Sequence, residues 1–239
     1  MIYAGYRGVS LLVGAPALTV ARLHVRGNAR LSTGEVLAIV GALRGQSILR
    51  VDLPAYRERL LGSPWVHDAS LRRVLPSTIE VTVVERVPMG LGRIGGRLYL
   101  IDPHGTLIDE YGPQHAEFDL PIIDGLAASR DSSAIDPRRV ALAARLLASL
   151  APRADLSDRI SQVDVTDPHD AVVMLEDDTA RIHLGEERLA ERIASYVELA
   201  RALRARVPEI DYVDLRFGER VYVRPSAGAQ AARPAVRRQ

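Results

Sequence analysis

The sequence predicts an α+β fold in two parts. The first is an N-terminal module with the element order βααββ, and the second is a larger, mostly antiparallel β-sheet domain with two packed helices. Over residues 20–87, apolar side chains recur at the spacing of a strand, two helices and two further strands. Beyond residue 87, strand patterns dominate and two long helical patterns occur, over 136–150 and 186–208. The 47% hydrophobic content is sufficient for a buried core.

The N-terminal module is predicted from its turn and helix-capping residues as well as from the periodicity of its apolar residues. Residues 20–28 alternate apolar and polar side chains and end in a Gly-Asn pair, which is typical of a half-buried strand. Ser32 and Glu35 have the spacing of a capping box, and apolar residues follow at helical spacing. A second, shorter helix begins after Asp52, and residues 65–88 form two strands. Two helices on one face of three strands make a two-layer module.

The larger domain is predicted as hairpins separated by helices. One hairpin turns at Asp102–Gly105, where the Asp and the Gly serve the turn. The helix over 136–150 begins with Asp136 as its cap and a proline in its first turn. A second hairpin turns near Asp177-Asp178, and a final one has a two-residue turn within Phe217–Arg220, with its glycine first.

The stretch MGLGRIGG, Met89–Gly96, has the spacing G-x-G-x-x-G of a dinucleotide fingerprint. That fingerprint requires a helix after the glycines, because the pyrophosphate binds at a helix N-terminus. Here a strand pattern begins at Arg97, and Pro88 precedes the glycines. We therefore interpret this stretch as a turn between strands and not as a nucleotide site.

The composition excludes several kinds of active site. The chain has no cysteine, so disulfides, thiolate nucleophiles and cysteine-bound metals are absent. All 31 basic residues are arginine, which excludes a P-loop lysine and a Schiff-base lysine. The net charge of +1 and the 5% aromatic content do not indicate nucleic-acid binding.

The polar residues also give no recognisable catalytic pattern. The His67-Asp68 and His169-Asp170 pairs lie in strand or turn contexts, and we interpret them as surface polar residues and not as metal ligands. The sequence shows no recognisable spacing of a nucleophile, a general base and a third residue that orients the base, which is the combination that nucleophilic catalysis needs. The sequence therefore predicts no catalytic site, no metal, no cofactor and no small-molecule substrate, so we expect a binding or scaffolding protein.

An uncharged run of 14 residues, Gly8–Ala21, precedes the first strand. A bilayer span needs about 20 apolar residues, and this run is shorter and is interrupted by Pro16. Two interpretations remain open. The run is either a packed or interfacial lead-in to the module, or the end of a hydrophobic anchor that begins before this chain.

The final hairpin predicts a binding surface. Residues Tyr212–Val223 close the folded part, so the last strand is expected at a sheet edge, where unpaired amides and carbonyls can bind a partner strand. Arginines alternate with apolar residues over 216–224, which would add positive charge. The alternative is a last strand that is capped or paired internally.

Five stretches of this chain resemble the FtsQ/DivIB family of bacterial cell-division proteins. They are HVRGN, SPWVHDASLRRVLPSTIEVTVVERVP, LYLIDPHGTLI, LPIIDG and VDLRFGERVYV, and they occur in the family's order over about residues 20–225. The resemblance implies a POTRA domain over 20–87 and an FtsQ-type β domain over 88–225. It also implies a membrane-proximal lead-in over 1–19, as the remnant of an anchor, and a disordered tail over 226–239.

The family resemblance further implies a function without catalysis. Family members are single-pass inner-membrane proteins whose domains lie outside the cytoplasm at the division septum, where they recruit FtsB and FtsL. In the family, FtsB binds by strand addition near the last strands. The residues that correspond to this contact here are Arg216, Phe217, Gly218, Glu219, Arg220, Val221, Tyr222 and Val223.

Two other hypotheses belong to different classes. A POTRA-bearing component of outer-membrane protein assembly or secretion would show tandem modules or a long downstream barrel, and neither pattern is present. A dinucleotide- or metal-dependent enzyme would carry a bound cofactor or metal after purification, and we expect neither.

Overall fold

The computed structural model describes residues 16–129, 134–207, 209–218 and 220–226. It divides into two units, Met1–Val87 and Pro88–Gln239. Most of the predicted lead-in and of the predicted tail lies outside the described residues. No helix in the described part is both long enough and apolar enough to cross a membrane.

The first unit has the predicted element order. Its elements are β1 (Arg22–Arg26), α1 (Thr33–Val40), α2 (Leu53–Leu61), β2 (Val66–Val74) and β3 (Thr78–Glu85). The sheet order is β1-β3-β2, with β1 parallel and β2 antiparallel to β3. The predicted capping box is confirmed: Ser32 Oγ accepts from Glu35 N at 3.1 Å, and Glu35 Oε2 accepts from Ser32 N at 2.7 Å.

Alternation in the strands and helical periodicity together build the core of the first unit. One face of the sheet packs against both helices, and its most buried residues are apolar: Val36, Val40, Leu43, Ile48, Leu60, Ile79 and Val81. Side chains on the opposite face of the sheet are mostly polar, which is the pattern of a two-layer module.

Two residues of the resembling motifs hold the loop between β1 and α1. Gly27 has a φ of +82°, and a Cβ at this position would lie 2.1 Å from the carbonyl oxygen of Val83. The carboxylate of Glu85 accepts hydrogen bonds at 2.8–3.1 Å from three successive amides, those of residues 29–31. Gly27 therefore allows a close approach of two backbone segments, and Glu85 satisfies backbone amides of the loop.

The second unit is built on a nine-stranded sheet. Its elements are β4 (Gly90–Ile94), β5 (Arg97–Ile101), β6 (Leu107–Glu110), β7 (Ile122–Asp124), α3 (Pro137–Leu150), α4 (Ala154–Ser157), β8 (Ile160–Asp167), β9 (Asp170–Leu175), β10 (Arg181–His183), α5 (Leu189–Arg206), β11 (Ile210–Asp214) and β12 (Tyr222–Pro225). The strand order is β12-β11-β10-β9-β8-β7-β4-β5-β6. Five neighbouring pairs are antiparallel and three are parallel, so the predicted α+β class, with its mostly antiparallel sheet, is confirmed.

The two long helices cover one core. Helix α3 packs on β8 and β9 and against α5. Its fully buried Leu142 and Leu146 join Val173 of β9 and Ile193 and Tyr196 of α5 in a single apolar cluster. The predicted cap of α3 is confirmed, since Asp136 accepts from Arg138 N at 2.9 Å.

The glycine-rich stretch at 89–96 is mainly strand, which corrects the prediction of a turn. Gly90 and Gly92 lie inside β4, where a Cβ would meet the side chains of Ile123 at 2.5 Å and Leu126 at 3.0 Å. Only Gly95 and Gly96, both with positive φ, form the turn to β5. The first glycines are needed for close packing and the last two for the turn.

The predicted turn at Asp102–Gly105 is confirmed. Asp102 is 2% exposed, and its Oδ1 accepts from the amides of His104 at 3.0 Å and Thr106 at 2.7 Å. Gly105 has a φ of +85°. The buried carboxylate therefore satisfies the amides of its own turn, as side chains of aspartate commonly do.

Candidate partner-binding edge

Strand β12 lies at one end of the nine-stranded sheet. It pairs with β11 on one side, and no described strand pairs with its other side. An edge strand presents amides and carbonyls that can hydrogen-bond a strand from another chain. Strand β6 forms the opposite end of the sheet.

Two hydrogen bonds determine which backbone groups of β12 face outward. Leu215 N donates to His183 O of β10 at 2.9 Å, and Ser226 N donates to Glu209 O at 3.0 Å. Because N–H directions alternate along a strand, the amides of Tyr222 and Arg224 point towards β11 and the amide and carbonyl of Val223 point away from it. Pro225, the next outward position, has no N–H and can only accept.

An exposed aromatic pair lies beside this edge. The rings of Phe217 and Tyr222 meet edge to face, with centroids 5.3 Å apart and an interplanar angle of 82°. Phe217 is 57% exposed and Tyr222 is 49% exposed. Aromatic side chains that stay accessible next to an open edge suit a protein-binding surface, because they bury a large area with few rotatable bonds.

Arg216 is held within the chain, which the sequence did not predict. Its Nε and Nη2 donate to the two oxygens of Asp214 at 3.0 and 2.7 Å, and its Nη1 lies 3.1 Å from Asp170 Oδ2. Hydrogen bonding to Asp214 is the main cause that raises the pKa of Arg216. Burial alone would raise the pKa of Asp214, but its hydrogen bonds with Arg216 outweigh burial and lower it.

The interpretation of the His169-Asp170 pair as surface residues was wrong for Asp170. It was expected at the surface, but it is 5% exposed and lies among His183, Gly185 and Arg216. Its neighbour His169 is exposed. The strand period alone could not identify this burial, because β9 begins at Asp170 and the residue faces side chains from β10 and the loop after β11.

The final hairpin differs from the prediction in its register. Gly218 has a φ of +65° and Arg220 N donates to Phe217 O at 3.2 Å, so a turn forms where it was predicted. Asp214 pairs with Tyr222, however, and a two-residue hairpin would require it to pair with Val223. The residues 215–217 contain one more residue than the returning side, and Asp214 and Arg216 hold this bulge together. The predicted site residue Glu219 lies outside the described residues.

The remaining predicted site residues fall into two groups. Val221 and Val223 are partly buried against the core of the second unit, and Arg220 is exposed. Arg224 Nε donates to Asp211 Oδ2 at 2.8 Å, and its guanidinium lies 4.4 Å from the ring centroid of Tyr212. The structure thus places the described members of the predicted set at one edge and turn. It pairs Arg216 of that set, and Arg224 just beyond it, with aspartates.

Helix α5 contributes residues that the sequence analysis missed. A cavity of about 200 Å³ separates the helix from the loop before β12, and its lining includes Arg188, Arg192, Ser195, Leu199, Leu215 and Val221. Leu199 is 41% exposed. The signal was present in the sequence, because the apolar stripe at three- and four-residue steps runs through Leu189, Ile193 and Tyr196 to Ala200 and Leu203. Leu199 is an apolar residue that lies beside this stripe. The described residues contain no group of three or more possible metal ligands.

Comparison with known families decides which proteins this arrangement belongs to. Residues 18–86 match the model of the FtsQ-type POTRA domain, and residues 92–216 match that of the FtsQ/DivIB C-terminal domain. The chain belongs to the FtsQ family of cell-division proteins. The second match extends through β11 to Arg216, and it favours a role in cell division over the outer-membrane assembly alternative.

Curated relatives of this FtsQ-family chain carry the same name. Cell division protein FtsQ of Koribacter versatilis is 31% identical over 219 residues, which cover 89% of this chain and 62% of that protein. The protein of the same name from Geobacter sp. (strain M21) is 24% identical over 93% of this chain and 81% of its own length. That of Caulobacter vibrioides is 28% identical over 96% and 72%. The chain therefore spans about three fifths to four fifths of these relatives.

Proposed function

We propose that this chain is a scaffold of the division machinery that catalyses no reaction and recruits FtsB- and FtsL-type proteins by strand addition to β12. The outward amide and carbonyl of Val223 on an open edge carry the proposal. We also propose that both units act outside the cytoplasm at the division septum, held at the inner membrane by an N-terminal anchor. Membership of the FtsQ family supports the role in division.

Strand addition suits the groups that β12 offers. A guest strand gains affinity from main-chain hydrogen bonds and specificity from the side chains beside them. Val223 can both donate and accept, whereas Pro225 can only accept. The Phe217–Tyr222 pair lies next to this short ladder and gives a guest strand an apolar surface to cover.

The decisive variant is Val223→Pro. It removes an N–H that points away from β11, so the β11–β12 ladder keeps its hydrogen bonds while a guest strand loses one and meets the proline ring. Copurification of the full chain with its FtsB and FtsL counterparts should fall about tenfold or more. Val223→Ala is the matched control, because it loses the same packing and retains the amide.

A second pair of variants tests the aromatic surface. Phe217→Ala and Tyr222→Ala should each weaken copurification without lowering the melting temperature much, because both rings are about half exposed. Normal binding by Val223→Pro together with both alanine variants would show that β12 is not the binding edge. Charge reversal at Arg216 is a poor test, because it would break contacts with Asp170 and Asp214 inside the chain.

A further inference from the structure

A buried carboxylate lies beneath the loop that leads into β12. Asp170 Oδ1 accepts from Gly185 N at 2.9 Å, and Oδ2 lies 2.7 Å from His183 Nδ1. Both contacts come from the end of β10 and the residues after it. They hold the carboxylate in place independently of the loop that leads into β12.

The same carboxylate reaches the loop through Arg216. Asp170 Oδ2 lies 3.1 Å from Arg216 Nη1, and Asp214 takes the remaining side of the guanidinium with two further hydrogen bonds. Asp214 Oδ1 also accepts from Arg216 N at 3.0 Å. Charged pairs with this fork geometry fix direction as well as distance. Arg216, the middle residue of the bulge, is thereby tied to strand β9, which begins 46 positions earlier in the sequence.

A second arginine closes the cluster from the helix side. Arg192 of α5 donates through Nη1 to Leu184 O and through Nη2 to Arg216 O at 3.4 Å. Gly185 has a φ of +72°, and a Cβ there would lie 3.4 Å from Cγ of Arg216 and 3.1 Å from Nη1 of Arg192. The ends of β9, β10 and β11 and helix α5 therefore meet around Asp170 and Arg216.

We propose that Asp170 is a positioning residue of the partner-binding edge: through Arg216 it holds residues 215–218 in the conformation that presents Phe217 beside β12. This role rests on the proposed function, because it concerns the same edge. In this role Asp170, which is 5% exposed, acts through Arg216 and does not itself bind the guest strand. Because the loop is already ordered, a guest strand loses less conformational entropy when it binds.

Hydrogen exchange of the full chain, without any partner, tests the proposal. In Asp170→Asn, the amides of Leu215 and Arg216 should exchange at least about tenfold faster than in the wild type, because the ion pair that holds them is lost. Asp102→Asn is the matched control, since it alters an equally buried carboxylate in another turn of the same sheet. It should speed exchange at His104 and Thr106 and leave residues 215–216 unchanged. Equal effects of the two variants on 215–216, or no effect of Asp170→Asn there, would overturn the proposal.

A second variant keeps the test valid if Asp170→Asn does not fold. Arg216→Gln changes the partly exposed end of the same pair, whose side chain is 39% exposed, and should loosen the same amides. Where both single variants fold, the effects of the two changes should be less than additive in the double variant, because both break the Asp170–Arg216 contact. Additive effects would contradict a shared role.

Partner binding separates this inference from the proposed function. Asp170→Asn should copurify about fivefold less FtsB- and FtsL-type protein than the wild type, with Asp102→Asn unaffected. A loosened loop with unchanged copurification would overturn the positioning role. If the wild type itself bound neither protein, the strand-addition proposal would fail, and the exchange data would still show whether Asp170 holds the loop.

Discussion

At the residue scale, the motifs that carry the family resemblance mostly satisfy backbone groups. Glu85 binds three successive amides, Asp102 binds two, and Asp214 binds the amide of Arg216. Gly27 lies against the carbonyl of Val83. These residues fix loops where strands and helices join, so their substitution should affect stability before it affects partner binding.

Gly27→Ala should lower the free energy of unfolding, and Gly45→Ala is its matched control. Both glycines have φ near +80°, so both variants incur the cost of a left-handed alanine, about 1–3 kcal/mol. Only at Gly27 would the new Cβ also meet backbone, at 2.1 Å, whereas nothing lies within 4 Å at Gly45. Urea unfolding should therefore show a clearly larger loss for Gly27→Ala, and equal losses would mean that the contact relaxes freely.

Asp214 should make the protein sensitive to acid. Its pKa lies below 3.8 in the folded chain, because its hydrogen bonds to Arg216 outweigh the effect of burial. A lowered pKa stabilises the fold fully above about pH 4, and this contribution is lost as the pH falls through the folded value. Asp214→Asn should unfold more easily at pH 7 and lose less further stability on acidification, as followed by urea midpoints. An acid dependence as steep as that of the wild type would show that Asp214 is not responsible.

At the element scale, helices and strands form where the periodicity of apolar residues agrees with the positions of capping and turn residues. Helix α1 begins at its capping box, and α3 begins at Asp136 followed by a proline. Strand β12 is defined less by its own four residues than by β11, which supplies its hydrogen bonds. The elements next to the candidate edge are therefore the ones that depend most on tertiary contacts.

Ser32→Ala should destabilise the first unit by about 1 kcal/mol, because it removes the side chain that accepts from the amide of Glu35. Glu35→Gln is the control, since glutamine at this position can still bond the amide of Ser32. Thermal unfolding of both variants measures the difference. A glutamine variant as unstable as the alanine variant would mean that the charge of Glu35, and not the capping box, is important.

The sequence could predict what depends on neighbours along the chain, and little of what depends on neighbours across the sheet. The caps, the Asp102 turn and the order of elements follow from local patterns. The insertion of β7 between β4 and β8, the burial of Asp170 and the bulge at residues 215–217 depend on which strands become neighbours. Arg216 lies in the loop between β11 and β12, and its aspartate partners could be known only once β9 and β11 were brought together.

At the scale of the whole molecule, the described residues form two separate hydrophobic clusters. One belongs to the first unit and includes Leu60, and the other belongs to the second unit and includes Leu146. The two clusters share no residue. Each unit is therefore stabilised by its own buried apolar surface.

Leu60→Ala and Leu146→Ala should act on different units. Both leucines are fully buried, so each change should cost about 2–5 kcal/mol in the unit that contains it. Hydrogen exchange of the full chain should speed up over 16–87 in the first variant and over 88–226 in the second. Faster exchange throughout the chain in both variants would show that the two units unfold together.

The proline in β12 also bears on self-association. A sheet edge that can bind a foreign strand can also bind the same strand of a second copy of the protein. Such pairing can continue into aggregates. Pro225 occupies the outward position next to Val223 and supplies no hydrogen for a neighbouring copy. Any strand that pairs here, a second copy included, therefore forms only a short ladder, which opposes the extension of such pairing into aggregates.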